Sequence, residues 1–311
     1  MKTLLSNFSR TKRSFVKYPF LASAIILFLI SGASTPIYAQ QGQESSVPAV
    51  VLIDQPYGSH EKQKFDIYLP AGRSAESTPV LFLIHGGGFA AGSKSDFSGA
   101  IKWFQTSFPQ TAYVSVGYRL ADGKAKTNQF PAQEEDVKAC IEYVLNNRAE
   151  YGISEKFVTY GISAGAHLAM LYAYKYGPIS YKPVAVVNVV GSTNMSKIAE
   201  QVKMIENHPK KEEFLQVFVD AVGGTLEEKP ELYYTSSAIN YVTPDSPPTL
   251  ILHGTDDLIV PRQQSEELAA KLTEHGVKHT YRLYAGQEHT LKGVRPEVDS
   301  ETITFLSAYL K

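Results

Sequence analysis

The chain contains Gly161-Ile162-Ser163-Ala164-Gly165 between an apolar run, Phe157–Tyr160, and a proline-free segment rich in Ala, Leu and Met, Ala164–Tyr174. The apolar run predicts a buried strand and the second segment a helix. A serine between two such elements lies on a sharp turn, and glycines on either side let strand and helix approach closely because they carry no Cβ. The turn exposes the hydroxyl beside the free N–H groups of a helix N-terminus. The short pattern is a hypothesis until other segments support it.

Strands and helices are predicted to alternate on both sides of this turn. The predicted strands are Val47–Ile53, Lys64–Leu69, Pro79–Ile84, Thr111–Tyr118, Phe157–Tyr160, Pro183–Val190, Thr249–Leu252 and Thr280–Tyr284. The predicted helices are Ile101–Phe108, Ala132–Glu150, Ala164–Tyr174, Glu212–Val222, Arg262–His275 and Pro296–Leu310. This alternation predicts an α/β fold, with a mainly parallel sheet covered on both faces and the opening strands as an antiparallel edge. We expect residues 191–241 to be a small insertion after the sixth strand, within a single domain of residues 40–311.

Composition and charge are ordinary for a globular protein of 311 residues, with 43% hydrophobic and 20% charged residues. The formal net charge is −1, but five cations and no anion fall within residues 1–39, so the remainder carries −6. Phosphate binding needs clustered cations on the folded body, so this balance argues against a nucleic-acid partner.

The N-terminal segment is typical of an export signal. Basic residues precede the apolar run Phe20–Ile30, and small and turn-forming residues follow as far as Ile37-Tyr38-Ala39. An uncleaved anchor is the alternative, but eleven apolar residues fall short of the roughly 20 that span a bilayer. We therefore predict a signal peptide over residues 1–39, cleavage after Ala39 and no membrane association afterwards. Cys140 is the single cysteine, and export without disulfides fits a bacterial periplasm or exterior.

A serine hydroxyl is a weak nucleophile until a base removes its proton, and that base must be held in one tautomer. Two adjacent carboxylates, Asp256 and Asp257, follow the predicted strand Thr249–Leu252, and either could orient an imidazole. His289 follows the last predicted strand. It combines the required chain order with a loop at a strand end, so it is the predicted base for Ser163.

Four other histidines have structural interpretations. His275 ends a predicted helix, where the dipole stabilises an imidazolium, and His279 begins a strand, where we expect solvent around it. His253 precedes Gly254 and is expected to hydrogen-bond its own loop. His167 lies on the helix after the serine and is expected to pack there or to bond nearby backbone.

A glycine run follows the third predicted strand in the segment His85-Gly86-Gly87-Gly88-Phe89. An oxyanion needs two or three N–H donors directed at one point, and adjacent glycines let backbone approach without side-chain obstruction. We assign the amides of Gly87 and Gly88 as donors, with Ala164 as the third. The alternative is a plain tight turn after a strand. His85 is expected to brace the loop without reacting.

In combination these segments resemble the α/β-hydrolase superfamily, and within it the esterases with a His-Gly-Gly-Gly motif, close to hormone-sensitive-lipase-like and carbohydrate-esterase-like secreted enzymes. The matching segments are His85–Phe89, Tyr118-Arg119-Leu120, Phe130-Pro131-Ala132 with Asp136, Gly161–Gly165, His253–Asp257 and His289. The resemblance selects Asp257 as the acid, with Asp256 as the fallback. One departure is that little besides residues 40–46 precedes the first strand, where lipase-like members carry a cap. This favours the compact esterases with an open pocket.

The resemblance implies a secreted serine esterase. Ser163 would attack the ester carbonyl, His289 would move the proton, Asp257 would hold the imidazole, and water would release the acyl group. No cofactor or metal is expected, since no Cys/His ligand spacing suggests one. Expected substrates are short-chain or aryl esters, with acetyl or feruloyl groups on polysaccharide as the natural candidates. An exopeptidase or amidase using the same side chains is the alternative, and a hydrolase-fold binding protein without chemistry is a third.

Overall fold

In the computed structural model, which describes residues 47–205 and 210–311, eight strands form one sheet in the order β1-β2-β4-β3-β5-β6-β7-β8. Their bounds are β1 Val50–Pro56, β2 Lys64–Leu69, β3 Val80–Ile84, β4 Ala112–Val116, β5 Phe157–Ile162, β6 Ala185–Val189, β7 Thr249–Gly254 and β8 His279–Tyr284. β1 pairs with β2, and β2 with β4, in antiparallel fashion, whereas all other pairs are parallel. The predicted parallel sheet with an antiparallel edge is confirmed.

Helices cover both faces of the sheet. Those described are α1 Ser98–Ser107, α2 Ala132–Asn146, α3 Arg148–Tyr151, α4 Ala164–Leu171, α5 Met195–Lys203, α6 Lys211–Val222, α7 Pro230–Thr235, α8 Gln263–Glu274 and α9 Arg295–Ser307. Alternate residues of a strand point to opposite faces. Phe82 of β3 therefore packs in one apolar core with α2, α4 and α8, while Leu83 packs in the other with α1 and α9. A strand buried on both faces is continuously apolar, as predicted for this segment.

The predicted ends of several elements differ from those observed. β1 begins three residues later than predicted and continues to Pro56, because its pairing with β2 through a register shift between Leu52 and Gln55 decides its length. The predicted helix over residues 132–150 divides into α2 and α3 at Asn147. The helix after Ser163 ends its α-helical part at Leu171 and passes into one π-helical turn.

The insertion between β6 and β7 is more helical than predicted. Only α6 was expected there, but α5 and α7 flank it. In α5 the side chains of Met195, Ile198 and Val202 are buried, and this spacing, typical of one helix face, is a sequence signal for α5 that was missed. The side chain of Gln264 on α8 accepts hydrogen bonds from the backbone N–H groups of Thr193 and Asn194, both at 2.7 Å, and so ties the start of the insertion to the main body.

The described residues belong to one compact unit, residues 45–311. The predicted signal peptide over residues 1–39 lies outside the described residues. Within the described ranges, none of the helices has both the length and the apolar character needed to cross a membrane.

Candidate active site

Ser163 lies on the turn between β5 and α4, and its backbone is strained. Its φ of 56° and ψ of −122° are rarely adopted by a residue with a side chain. Close approach explains the flanking glycines: a Cβ on Gly161 would overlap the backbone of Gly165, and a Cβ on Gly165 would overlap the carbonyl of Ile84 at the end of β3. The N–H of Ser163 donates to the carbonyl of Val189 on β6 at 2.8 Å, which anchors the turn.

The structure brings Ser163, His289 and Asp257 into one hydrogen-bonded chain. The Ser163 Oγ lies 2.9 Å from the Nε2 of His289, and the Nδ1 of His289 lies 2.7 Å from the Oδ2 of Asp257. A carboxylate only accepts, so the partners assign the Nδ1–H tautomer, with Nε2 free to accept from the serine hydroxyl. Asp256 is exposed and accepts a hydrogen bond from Thr255 instead. An imidazole so placed can take a hydroxyl proton.

The Asp257 carboxylate is buried in a turn that supplies its hydrogen-bond donors. Its Oδ1 accepts from the backbone N–H groups of Ile259 and Val260, each at 2.9 Å. Its Oδ2 also lies 3.2 Å from the Nε2 of His253. Burial raises the pKa of Asp257, but the contacts with His253 and His289 outweigh burial and hold that pKa well below its ordinary value. The carboxylate is therefore ionised across the physiological range.

The glycine loop after β3 presents backbone amides near the serine. Gly87 and Gly88 have φ values of 107° and 60°, a region open to glycine but costly for other residues. Within the described ranges, no hydrogen-bond acceptor is found for the amides of Gly87, Gly88 or Ala164. All three residues line the same cavity as Ser163. These amides are available to an anion at this point.

His85 supports the loop in the way the sequence predicted. Its Nδ1 lies 2.8 Å from the carbonyl of Gly86, and its ring stacks on Tyr118 at a centroid separation of 4.1 Å. The Tyr118 hydroxyl donates to the carbonyl of His85 at 2.8 Å. Burial lowers the pKa of His85, so the ring is neutral and acts as a packing element.

Two cavities meet at the glycine loop. The first, of about 620 Å³, contains Ser163 and His289. Its walls are mostly apolar, and they include Val189, Val217, Phe218, Ile259, Leu291 and Val298. The second, of about 590 Å³, shares Gly86, Gly87 and Arg295 with the first. Polar and aromatic side chains, among them Asp96, Trp103 and Asp299, line its other sides.

Comparison with known proteins decides the family. The sequence profile of the BD-FAE family matches residues 65–272, about two thirds of the chain. The chain belongs to the BD-FAE family. It is also similar to the esterase LipQ of Mycobacterium tuberculosis, with 29% identity over 232 residues, which cover 72% of this chain and 53% of that relative. A probable isoprenylcysteine alpha-carbonyl methylesterase, ICMEL1 of Arabidopsis thaliana, is 24% identical over 246 residues, covering 75% and 50%. The BD-FAE chain thus spans about half the length of these relatives.

Solved structures similar to this BD-FAE chain share its fold. A truncated carbohydrate esterase from gut microbiota superposes with a TM-score of 0.67 and 22% identity, covering 85% of this chain and 98% of that one. Esterase B from Lactobacillus rhamnosis superposes with a TM-score of 0.65 and 20% identity, covering 85% and 86%. These similarities confirm the predicted α/β-hydrolase fold.

The four histidines with structural interpretations make other contacts than the Ser163 hydroxyl. His167 is buried, with its Nδ1 3.0 Å from the carbonyl of Ser192, and His275 caps the end of α8. His279 is half-buried with its Nδ1 2.9 Å from the carbonyl of Val277. His253 hydrogen-bonds its own loop, as predicted, but its contact with Asp257 was not foreseen. The spacing of four residues between His253 and Asp257 in the His-Gly-Thr-Asp-Asp segment was the available sequence signal for this contact.

Residues from the insertion were also missed as cavity walls. Val217 and Phe218 of α6 line the cavity that holds Ser163, and the apolar character of that helix was the only hint in the sequence. In the part of the chain that the structure describes, no three His, Cys, Asp or Glu side chains cluster in a way that could hold a metal ion.

Proposed function

We propose that this BD-FAE protein is a serine esterase with Ser163 as nucleophile. The observation that carries the proposal is the hydrogen-bonded chain from Ser163 through His289 to a buried, ionised Asp257. Ser163 and His289 line the apolar cavity. As Ser163 Oγ attacks the ester carbonyl, His289 takes the hydroxyl proton and then donates it to the leaving alcohol. Asp257 keeps the imidazole in the required tautomer and stabilises the imidazolium. Water, activated by His289, hydrolyses the acyl-enzyme.

The oxyanion of each tetrahedral intermediate is bound by backbone amides of Gly87, Gly88 and Ala164. Their lack of acceptors among the described residues supports this role, because an N–H already engaged could not stabilise developing charge. The helix N-terminus at Ala164 adds a favourable dipole. Removing one such donor from an oxyanion site costs about 100- to 1,000-fold in kcat.

The two cavities suggest where the acyl and alcohol parts of the substrate bind. The apolar cavity is far larger than an acetyl group needs, which favours an aryl or longer acyl group, such as feruloyl, over acetyl. The second cavity, with Asp96, Trp103 and the Arg295–Asp299 ion pair, suits a polar alcohol. Relatives are named esterases, and one structural neighbour is named a carbohydrate esterase. We therefore propose carbohydrate-linked aryl or short-chain esters as substrates and, from the predicted signal peptide, a site of action outside the bacterial cytoplasm.

The deciding experiment compares wild type with Ser163→Ala on p-nitrophenyl butyrate, acetate and a feruloyl ester. Wild type should hydrolyse the feruloyl and butyryl esters with a higher kcat/KM than acetate. Ser163→Ala should lose about 10⁴- to 10⁶-fold in kcat with an unchanged melting temperature. An aminoacyl p-nitroanilide tests the peptidase alternative, which predicts that the amide is the better substrate. Wild-type turnover in the Ser163→Ala protein would rule out the mechanism.

A further inference from the structure

A second histidine besides His289, the buried His253, contacts Asp257. It lies near the end of β7, and its side chain is fully buried. Its Nε2 is 2.8 Å from the carbonyl of Val260 and 3.2 Å from the Oδ2 of Asp257. That is the same carboxylate oxygen that accepts from His289. The esterase mechanism assigns no role to this side chain.

The partners of His253 determine its tautomer. Nε2 faces a carbonyl and a carboxylate, both of which only accept, so Nε2 carries the hydrogen. Nδ1 lies 2.6 Å from the hydroxyl of Ser265 on α8, which can donate. A neutral ring with Nε2–H and an accepting Nδ1 therefore satisfies both nitrogens in a site without water access. Ser265 is itself fully buried, so this arrangement is held from β7 and from α8.

The contacts of His253 close a ring around the carboxylate. The aligned hydrogen bond from Nε2 goes to Val260, and the N–H of Val260 in turn donates to the Oδ1 of Asp257. The longer contact from Nε2 reaches Oδ2 directly. Asp257 is thus fixed at both oxygens by groups whose positions depend on His253. Because a misplacement of about 1 Å at a catalytic group can cost 10²-fold in rate, this support matters to His289.

We propose that His253, held by Ser265 at its Nδ1, is a positioning residue that fixes the Asp257 carboxylate for its hydrogen bond to His289. The proposal rests on the proposed function in one respect, namely that the position of His289 limits turnover. The titratable groups that act on the Asp257 charge are His253 from β7 and His289 from the loop after β8. His253 itself does not line the cavity that holds Ser163, so it acts through Asp257 and Val260.

The test compares two His253 variants with a matched control on the same strand. His253→Phe keeps a ring but removes the N–H, whereas the amide nitrogen of His253→Gln can reach the position of Nε2 and donate. Thr249→Val is the control, because Thr249 is buried on β7 and its hydroxyl bonds Tyr174 away from the site. For each protein we would measure melting temperature, kcat and KM on p-nitrophenyl butyrate. The far-downfield proton NMR resonance of the His289–Asp257 hydrogen bond would be recorded without substrate.

His253→Phe should lower kcat by about tenfold to a hundredfold, because a small displacement of a catalytic group costs up to about 10²-fold in rate, while KM changes little. The NMR resonance should broaden or shift. His253→Gln should recover most of the wild-type kcat and most of the wild-type resonance. Thr249→Val should lower the melting temperature and leave kcat and the resonance unchanged. A His253→Phe protein with the kcat and resonance of Thr249→Val would overturn the proposal.

Two outcomes are kept apart by this design. If wild type hydrolyses no ester, the proposed function fails, yet the substrate-free NMR resonance still reports whether His253 positions the Asp257–His289 pair. If His253→Phe does not fold, Ser265→Ala replaces it, because it removes only the hydroxyl that hydrogen-bonds the Nδ1 of His253. Ser265→Ala should then lower kcat severalfold and alter the resonance, and no change in either would contradict the proposal.

Discussion

At the scale of single residues, adjacent side chains of one type lie in opposite environments. Asp257 is buried, receives backbone and imidazole donors and contacts His289, whereas Asp256 is exposed and its carboxylate accepts from the neighbouring Thr255. The turn that wraps Asp257 leaves the preceding residue, Asp256, exposed to solvent. The residues alone left both carboxylates open, and the resemblance selected Asp257.

This contrast provides a matched pair of substitutions. Asp257→Asn should lower kcat by about 10⁴-fold, because an amide in this position favours the wrong imidazole tautomer and cannot stabilise the imidazolium. Asp256→Asn should stay within about twofold of wild type, since surface changes away from the site have small effects. Both are measured as steady-state hydrolysis of p-nitrophenyl butyrate, with circular dichroism as the control for folding. A larger loss in Asp256→Asn than in Asp257→Asn would reverse the assignment.

His167 predicts a pH dependence of stability that is independent of catalysis. Burial lowers its pKa to about 4, with the hydrogen bond to the Ser192 carbonyl opposing the shift, against about 6.5 in the unfolded chain. The unfolded state therefore binds more protons between these values. The stability contribution is complete above pH 6.5 and is lost as the pH falls towards 4.

Urea unfolding at pH 7.5 and pH 5.0 tests this for wild type and His167→Gln. Wild type should lose about 2 kcal/mol more of its unfolding free energy than the variant over this interval. The glutamine has no titrating proton, so groups common to both proteins cancel in the difference. Equal losses in the two proteins would show that His167 does not titrate with a lowered pKa.

At the scale of elements, α6 from the insertion forms a wall of the apolar cavity and also contacts the glycine loop. A Cβ built on Gly88 would lie 2.8 Å from the Cγ1 of Val217. The far end of α6 is held in place because the N–H of Phe130 donates to the carbonyl of Ala221 at 2.8 Å. The insertion therefore shapes both the acyl cavity and the loop that presents the oxyanion donors.

A double-mutant cycle measures this contact between elements. Gly88→Ala should reduce kcat, because the new methyl group presses on Val217 and the φ of 60° is strained for alanine. Adding Val217→Ala should restore part of the loss, with a coupling energy of about 1 kcal/mol in kcat/KM. Gln216→Ala, on the exposed side of α6, is the control and should show no coupling. Strictly additive effects of Gly88→Ala and Val217→Ala would show that α6 and the glycine loop are not energetically coupled.

At the scale of the whole molecule, the sheet order brings distant segments to one edge. β5, β6, β7 and β8 lie side by side and run parallel, so the loops after β5, β7 and β8 emerge together. Those loops carry Ser163, Asp257 and His289, and β3 beside β5 carries the glycine loop. Ligands of open α/β sheets bind at this carboxyl end.

Every residue of the proposed site belongs to the unit formed by residues 45–311. A protein that begins at Gln40 should therefore have the melting temperature of the full chain, and its kcat/KM should lie within about twofold of the full-chain value. Full-length protein expressed in a bacterium and recovered from the periplasm should show Gln40 as its N-terminus by mass spectrometry. Loss of folding in the shortened protein, or an intact N-terminus on the exported one, would refute the domain boundary.

The sequence by itself determined the eight strands, most of the helices and the local motifs. Apolar runs such as Pro79–Ile84 predicted buried strands, and glycines at residues 161 and 165 predicted a tight strand–helix turn, because these depend on neighbouring residues alone. Only the tertiary structure decided that His253 lies against Asp257 and that α6 closes one side of the cavity. The first contact depends on how the loop after β7 folds back on the strand. The second joins segments far apart in the chain and depends on strand order and on helix packing across the sheet, which no local periodicity encodes.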